Sequence, residues 1–211
     1  GDISTGGALW HCELVLAEWC AREISQRQHS HTAAPMRVLE LGCGVAPAAG
    51  LATLAMGCDV LLTDMSNVLP FIEGNIRLNH SAVAAERNLR GFHPLSRMSC
   101  DTEELMFGEP IPVRARSMAP FDLILCSDCV YQQRLHEPLA RTLLDLLCNV
   151  KTDIHSNSRC VVAFFLREPS DADFISKTCP KLGLVATELF ELGDLIRDAP
   201  WSTESTAAML V

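Results

Sequence analysis

The stretch Met36-Arg37-Val38-Leu39-Glu40-Leu41-Gly42-Cys43-Gly44-Val45-Ala46-Pro47 decides how this chain of 211 residues is read. Met36 to Leu41 is a short apolar run of strand-forming residues, bounded by a turn signal and too brief for a helix. Gly42 and Gly44 then let the backbone turn sharply and lie flat against whatever rests on it, because no Cβ stands in the way. Small residues from Ala48 to Met56 predict a helix, and Cys58 to Thr63 predicts a second strand. Together they make one β-α-β unit of about the minimum length that a parallel crossover permits.

The alternation continues on both sides of that unit. Ahead of it, Leu9, Cys12, Leu16, Trp19, Cys20 and Ile24 recur at helical spacing along Ala8 to Ile24, with one buried face, and a polar loop from Ser25 to Pro35 follows. After it, Asn67 to Leu78 reads as a helix and Phe121 to Cys126 as a fully apolar strand. Leu135 to Val150 is a helix with Leu139, Leu143 and Leu146 on one stripe. Cys160 to Leu166 is a strand, Asp171 to Cys179 a helix and Leu184 to Leu192 a strand. Between His80 and Pro120, the prolines at 94, 110, 112 and 120 leave room for one strand, Ser96 to Asp101. Such alternation predicts an α/β fold, a mainly parallel sheet with helices on both faces. At 48% hydrophobic residues the chain can bury a full core as one domain.

Composition narrows the function classes. A formal charge of −9 argues against broad contact with a phosphate backbone, which needs a basic face to displace counterions, so nucleic acid is not the expected partner. No apolar stretch approaches the roughly 18 residues needed to cross a bilayer, so no membrane partner is expected either and the chain reads as soluble. The cysteines Cys43, Cys58, Cys126 and Cys160 sit inside apolar runs, where thiols behave as small hydrophobes, which suits a reducing cytoplasm or nucleus. Cys126 and Cys129 form a Cys-x-x-Cys pair, but no second pair stands at zinc spacing, and no metal is expected. The chain starts without Met, and Ala207 to Val211 resembles a strand cut in mid-course, so it reads as a piece of a longer protein.

In a doubly wound sheet the ligand sits beyond the carboxyl ends of the strands, which makes the turn after the first strand the place to look. A dinucleotide site of the Gly-x-Gly-x-x-Gly type wants a third glycine where Pro47 stands. Instead Glu40 precedes the first glycine by two residues, a position suited to a cationic amino group rather than a diphosphate. Asp64 closes the second strand, where a carboxylate can accept both hydroxyls of a ribose. A ribose plus an ammonium describes S-adenosylmethionine. As plain structure, Gly42 and Gly44 would form only a tight turn and Asp64 would only cap the helix near Asn67. A second segment, Phe121 to Tyr131, ends an apolar strand in Ser127-Asp128 and brings a phenol three residues later to the same rim. A carboxylate there can hold or deprotonate an amine, and only the neutral amine has a lone pair for a methyl group. The plain alternative is that Asp128 caps the next helix and Tyr131 packs.

The succession Thr5-Gly6-Gly7-Ala8-Leu9-Trp10, Val38 to Gly44, Leu62-Thr63-Asp64 with Val68 to Asn79, and Asp122 to Tyr131 resembles the seven-β-strand methyltransferases of the methyltransferase-like 21 group, known also as methyltransferase family 16. These are mostly protein-lysine methyltransferases, and the element at Asp128 to Tyr131 matches their Asp-x-x-Tyr signature. The resemblance implies a Rossmann-like sheet of seven strands, mostly parallel, with the last strand, about Ser205 to Val211, antiparallel. It implies that Trp10 packs near the cofactor, that Gly42, Cys43 and Gly44 line it, that Asp64 and its neighbour Met65 meet its ribose side and that Ser127 borders it. Asp128 and Tyr131 would face the substrate. Leu105-Met106-Phe107-Gly108 matches the family's Leu-Asp-Trp-Gly element, with Phe107 in place of the Trp beside the adenine. Ala46 stands where relatives have a third glycine, and the run from Gly44 to Asp64 is one residue longer than expected.

The sequence is thus read as a single methyltransferase domain over 1–211, an N-terminal helix and loop over 1–35 and a Rossmann-like core over 36–211. The expected reaction is S-adenosylmethionine-dependent N-methylation of a lysine on a protein substrate, by a monomer. Two readings stay open beside it: methylation of a small amine or of a protein histidine, and a catalytically silent cofactor-binding scaffold.

Overall fold

Side chains along a strand point alternately to the two faces of a sheet, and the computed structural model shows this sorting in every central strand. It describes residues 4–27, 34–92, 99–148, 158–191 and 206–210. In β1 (Arg37–Leu41), Val38 packs against a layer made by α1 (His11–Arg27), α2 (Ala48–Ala55) and α3 (Leu69–Leu89). Leu39 and Leu41 turn the other way, toward α4 (Val113–Met118) and α5 (Gln133–Cys148). In β2 (Asp59–Asp64), Val60 and Leu62 share the first layer and Leu61 the second. In β4 (Leu123–Ser127) and β5 (Arg159–Phe165), Leu123, Leu125, Val161 and Ala163 oppose Ile124, Cys126, Cys160, Val162 and Phe164 in the same way. Both faces are covered, which is why these strands read as unbroken apolar runs.

With β3 (Cys100–Glu104) at the edge, the parallel strands lie in the order β3-β2-β1-β4-β5. The register sets Val38 opposite both Val60 and Leu123, and Ser127 opposite Ala163. The strand order reverses between β1 and β4, so the crevice of the sheet opens beyond Leu41 and Ser127. Two further strands, β6 (Glu188–Glu191) and β7 (Thr206–Leu210), follow in chain order. Among the described residues no helix is long and apolar enough to cross a membrane.

Several elements depart from the sequence reading. Helix α3 runs on past Leu78 to Leu89, because Val83 and Arg87 stay buried and the Arg87 guanidinium donates to the Leu54 carbonyl at 2.6 Å. Beyond Leu78 only Val83 and Arg87 of this helix are buried, while Leu89 is exposed, so no apolar stripe announced it. The third strand is Cys100–Glu104 rather than Ser96 to Asp101. It is an acidic, half-buried edge strand held by its ladder to β2, from Val60↔Cys100 to Asp64↔Glu104, and not by an apolar face. Residues 93–98 lie outside the described chain, as do Val150, Leu192, Ser205 and Val211 of other expected elements. Helix α4 had no local signal: Glu103 of β3 accepts the N–H groups of Arg114 and Ala115 at 2.9 and 2.8 Å, a cap supplied from another element. The expected helix Asp171 to Cys179 is a chain of three short turns, Pro169–Asp171, Phe174–Thr178 and Cys179–Lys181, and Pro180 has no N–H with which to continue a regular ladder.

Candidate active site at the strand ends

A cavity of about 400 Å³ opens at the crevice between β1 and β4, within the roughly 300–1,000 Å³ common for small-molecule sites. Its lining comes from the segments that follow β1, β2, β3, β4 and β5, from the chain ahead of α1 and from Glu13 in the first turn of α1. Of the residues picked out in the sequence, Trp10, Gly42, Cys43, Gly44, Asp64, Met65, Phe107, Ser127, Asp128 and Tyr131 all border it.

The glycine turn forms its floor. Gly42 and Gly44 both have φ of +61°, a backbone region that side chains disfavour. A Cβ on Gly42 would stand 2.8 Å from the Cys129 sulfur and 3.1 Å from the Phe107 ring, so both pack directly on the bare backbone. The turn is tied on all sides: Cys43 N–H donates to the Thr63 carbonyl at 3.1 Å and Val45 N–H to the Gly6 carbonyl at 2.8 Å. Gly44 N–H donates to one oxygen of Asp64 at 2.7 Å, and Met65 N–H donates to the other at 2.7 Å. Burial pushes the Asp64 carboxyl up, and these two bonds to the charged form oppose it. Each Asp64 oxygen keeps lone-pair capacity for a hydroxyl. The expected third glycine is met elsewhere. A Cβ on Gly50 would lie 2.3 Å from Leu62 and 2.5 Å from Glu40, so Gly50 is what lets α2 press onto the sheet, while Ala46 only borders the cavity.

Glu40 is a correction. Strand alternation sends it to the same face as Val38, beneath α2, where it is fully buried and accepts the Gly50 N–H at 2.8 Å. It does not border the cavity, whereas Glu13 does. The Glu40 carboxyl faces that of Glu13 from α1, which accepts the Ala49 N–H at 2.6 Å. Burial, then the Glu13 charge, raises Glu40 well above the usual carboxylate range, and its Oε1 is buried without a hydrogen-bond partner. Ser127 Oγ is buried beside Glu13 and makes no hydrogen bond of proper geometry with it.

At the other end of the cavity Asp128 follows β4 with φ of +55°, a conformation that Asp tolerates better than most residues. Its N–H is held by the Ala163 carbonyl at 2.7 Å. Its carboxylate is clamped by both guanidinium nitrogens of Arg167, at 2.7 and 2.5 Å. Trp10 and Tyr131 flank this end, 41% and 36% exposed, at the mouth. The Cys129 thiol is spent on carbonyls, the nearest that of Ser127 at 3.2 Å.

A model of the lysine methyltransferase family matches residues 1–179 of the chain. The chain belongs to that family. It is similar to the protein-lysine N-methyltransferase EFM6 of Saccharomyces cerevisiae, with 27% identity over 194 residues, covering 84% of this chain and 70% of the yeast protein. Among solved structures it is similar to the human methyltransferase 10 domain containing protein, with a TM-score of 0.55 and 12% identity over 96% of this chain and 83% of that one. A tRNA (uracil-54, C5)-methyltransferase of Pyrococcus abyssi, solved with S-adenosyl-L-homocysteine, matches with a TM-score of 0.51 and 14% identity. That match covers 92% of this chain but only 38% of the archaeal one. These likenesses show a Rossmann-like α/β methyltransferase fold.

For a member of the lysine methyltransferase family, four charged cavity residues were missed in the sequence, Glu13, Arg167, Glu168 and Asp171. Glu13 carried a signal, an acid three residues before Leu16 and seven before Cys20, on the stripe that α1 buries. Arg167 and Asp171 carried a weaker one: they follow β5, the neighbour of β4, and so share the rim with Asp128.

Proposed function

We propose that this chain transfers a methyl group from S-adenosylmethionine to the ε-amine of a lysine on a protein. The observation that carries the reading is one cavity lined by the glycine turn and a carboxylate, Asp64, at one end and by a second carboxylate, Asp128, beside exposed Trp10 and Tyr131 at the other. S-adenosylmethionine supplies a methyl on a positively charged sulfur, which passes to a nitrogen lone pair as the sulfur becomes a neutral thioether. The residues present fit that group. Gly42 and Gly44 present backbone to the cavity, Asp64 has acceptor capacity for a ribose diol, and buried Ser127 Oγ has hydrogen-bonding capacity to spare. Met65 and Phe107 supply an apolar wall for an adenine, and Glu13, rather than Glu40, offers a carboxyl to an amino group. Asp128 would accept an N–H of the substrate amine, Tyr131 would wall its channel, and Trp10 would flank the methyl-donor end. Holding amine and methyl in line at near contact is the main contribution of the protein, since the sulfonium is already reactive.

The whole chain, 1–211, acts as one domain in this reading, with helix α1 of the 1–35 segment docked on the core that begins at residue 36. The burial of Cys12, Leu16 and Ile24 against α2 and the sheet supports that docking. The sheet is read as seven-stranded with an antiparallel last strand. The antiparallel registers Val161↔Leu210 and Glu188↔Leu210 support it. A monomer suffices, since the chain lines the cavity with its own residues. A cytoplasmic or nuclear setting agrees with thiols such as Cys12 and Cys43 kept neutral by burial.

The test is transfer of tritium from methyl-labelled S-adenosylmethionine into the proteins of a cell extract, followed by identification of the labelled residue. Label on lysine supports the proposal. Label on histidine or on a small amine replaces it with another methyl acceptor, and cofactor binding without any label identifies a silent scaffold.

A further inference from the structure

Arg167 is held more firmly than a rim arginine needs to be. Asp171, 2% exposed, accepts the N–H groups of Arg167 and Glu168 at 2.9 and 3.0 Å and so fixes the backbone from which the side chain springs. The guanidinium lies 5.6 Å from the centre of the Trp10 ring and 5.5 Å from that of Phe165. It then meets both oxygens of Asp128, whose side chain is 5% exposed. An exposed ion pair is worth little and is easily lost, but here one partner is buried and the other is fixed by backbone and by two rings.

The chemistry of the acceptor gives this clamp a use. A lysine amine is ordinarily protonated at neutral pH, with a pKa of about 10.4, and the ammonium has no lone pair. A lone buried carboxylate beside it would favour the charged form further, which is the wrong direction for methyl transfer. We propose that Arg167 is the positioning residue of the acceptor end: its guanidinium aims the Asp128 carboxylate and offsets its charge, so that an entering amine is held as the neutral base. This rests on the reading of Asp128 as the acceptor-side acid. Asp128 spends one lone pair of each oxygen on Arg167 and keeps the others for an amine N–H. The proton that the amine sheds goes to solvent through the open mouth, and the proton lost after methyl transfer leaves the same way.

The other titratable groups around this point do not supply the offset. From α1, Cys12 is a thiol that burial raises, His11 stands edge-on to Phe165, and Glu13 is engaged with Glu40. After β4 come Cys129 and Tyr131, neither of them a cation. After β5 come Glu168 and Asp171, which are acids. Among the described residues that line the cavity, Arg167 is the only arginine or lysine.

The experiment measures initial rates of tritium transfer from S-adenosylmethionine into extract proteins across neutral and alkaline pH. It uses the wild type, Arg167→Met, Arg167→Lys and Asp128→Asn, each checked for S-adenosylhomocysteine affinity. In Arg167→Met the rising limb of rate against pH should move to higher pH by about one unit, a roughly tenfold loss at neutral pH regained in alkali. Arg167→Lys, which keeps the charge, should keep the limb near its wild-type position. A limb unmoved in Arg167→Met overturns the inference, and so does loss at every pH, since a missing offset alone is recovered in alkali. An Arg167→Lys limb displaced as far as that of Arg167→Met overturns it too. Full activity in Asp128→Asn marks the different failure, that of Asp128 as the acceptor-side acid.

Discussion

At one end of the cavity the contacts come from backbone fixed by the sheet, Gly42 to Gly44, with the Asp64 carboxylate that the N–H groups of Gly44 and Met65 hold. At the other they come from side chains, Trp10, Asp128, Tyr131 and Arg167, which reach the rim from separate segments of the chain. The first end is pinned by hydrogen bonds from three neighbouring segments and offers little freedom. The second is half-exposed at Trp10 and Tyr131 and is organised chiefly by one ion pair. A rigid end suits a ligand that is the same in every cycle. An open, side-chain end suits an acceptor carried on a macromolecule, where register and charge must be matched.

The sharpest way to separate the two ends is Asp128→Ala. It should lower methyl transfer by about 10²- to 10⁴-fold, the range of a positioned acid or base, while calorimetry with S-adenosylhomocysteine shows an unchanged Kd. A parallel fall in affinity would merge the two ends into one site. The reverse variant, Asp64→Ala, should weaken that Kd by about 10- to 100-fold, as expected for hydrogen bonds to a charged group. Its transfer rate at saturating cofactor should stay near that of the wild type; a rate loss with affinity kept would exchange the roles of the two acids.

Smaller effects probe the support beneath the rigid end. Gly50→Ala sets a Cβ against Leu62 and Glu40 and should cost about 1–3 kcal/mol in urea unfolding, the usual penalty of overpacking. Little loss there would mean that α2 is free to lift from the sheet. Glu40→Gln keeps the shape of the side chain and an oxygen to accept the Gly50 N–H while removing the titrating carboxyl, so at mildly acidic pH its stability should lie within about 0.5 kcal/mol of the wild type. The pH dependence has a definite sign. The carboxyl of Glu40 is raised in the folded state, so the native protein binds more protons than the unfolded chain above the ordinary carboxylate range of about 4.3. Its contribution is present at low pH and is lost as pH rises through the elevated folded value, whereas the Gln variant lacks this slope. Melting curves over a pH series check it, and parallel curves for the two proteins would show that Glu40 is ionised in the fold.

The β-α-β unit, the glycine turn and Asp64 were legible because each rests on residues near in sequence, where an apolar run, two glycines and an acid occupy consecutive places. The same locality exposed Ser127, Asp128 and Tyr131. Glu40 misled for a reason equally local: its place beside the turn was visible, but its facing was not, and strand parity put it under α2. Elements held by partners far away in sequence left little trace, and the one strand expected among them was placed too early, at Ser96 to Asp101 instead of Cys100–Glu104. Helix α4 depends on Glu103, the far half of α3 on the Leu54 carbonyl, and β3 on its ladder to β2.

The sequence by itself determined the α/β alternation, the crevice beyond β1 and the residues of the two motifs that border it, because periodicity and turn chemistry are written in neighbouring residues. Only the tertiary structure decided which acid faces the cavity, Glu13 rather than Glu40, and that Arg167 closes on Asp128. Both depend on side chains brought together across strands and helices, Glu13 to Ala49 and Arg167 to Asp128, and no spacing along the chain encodes those distances.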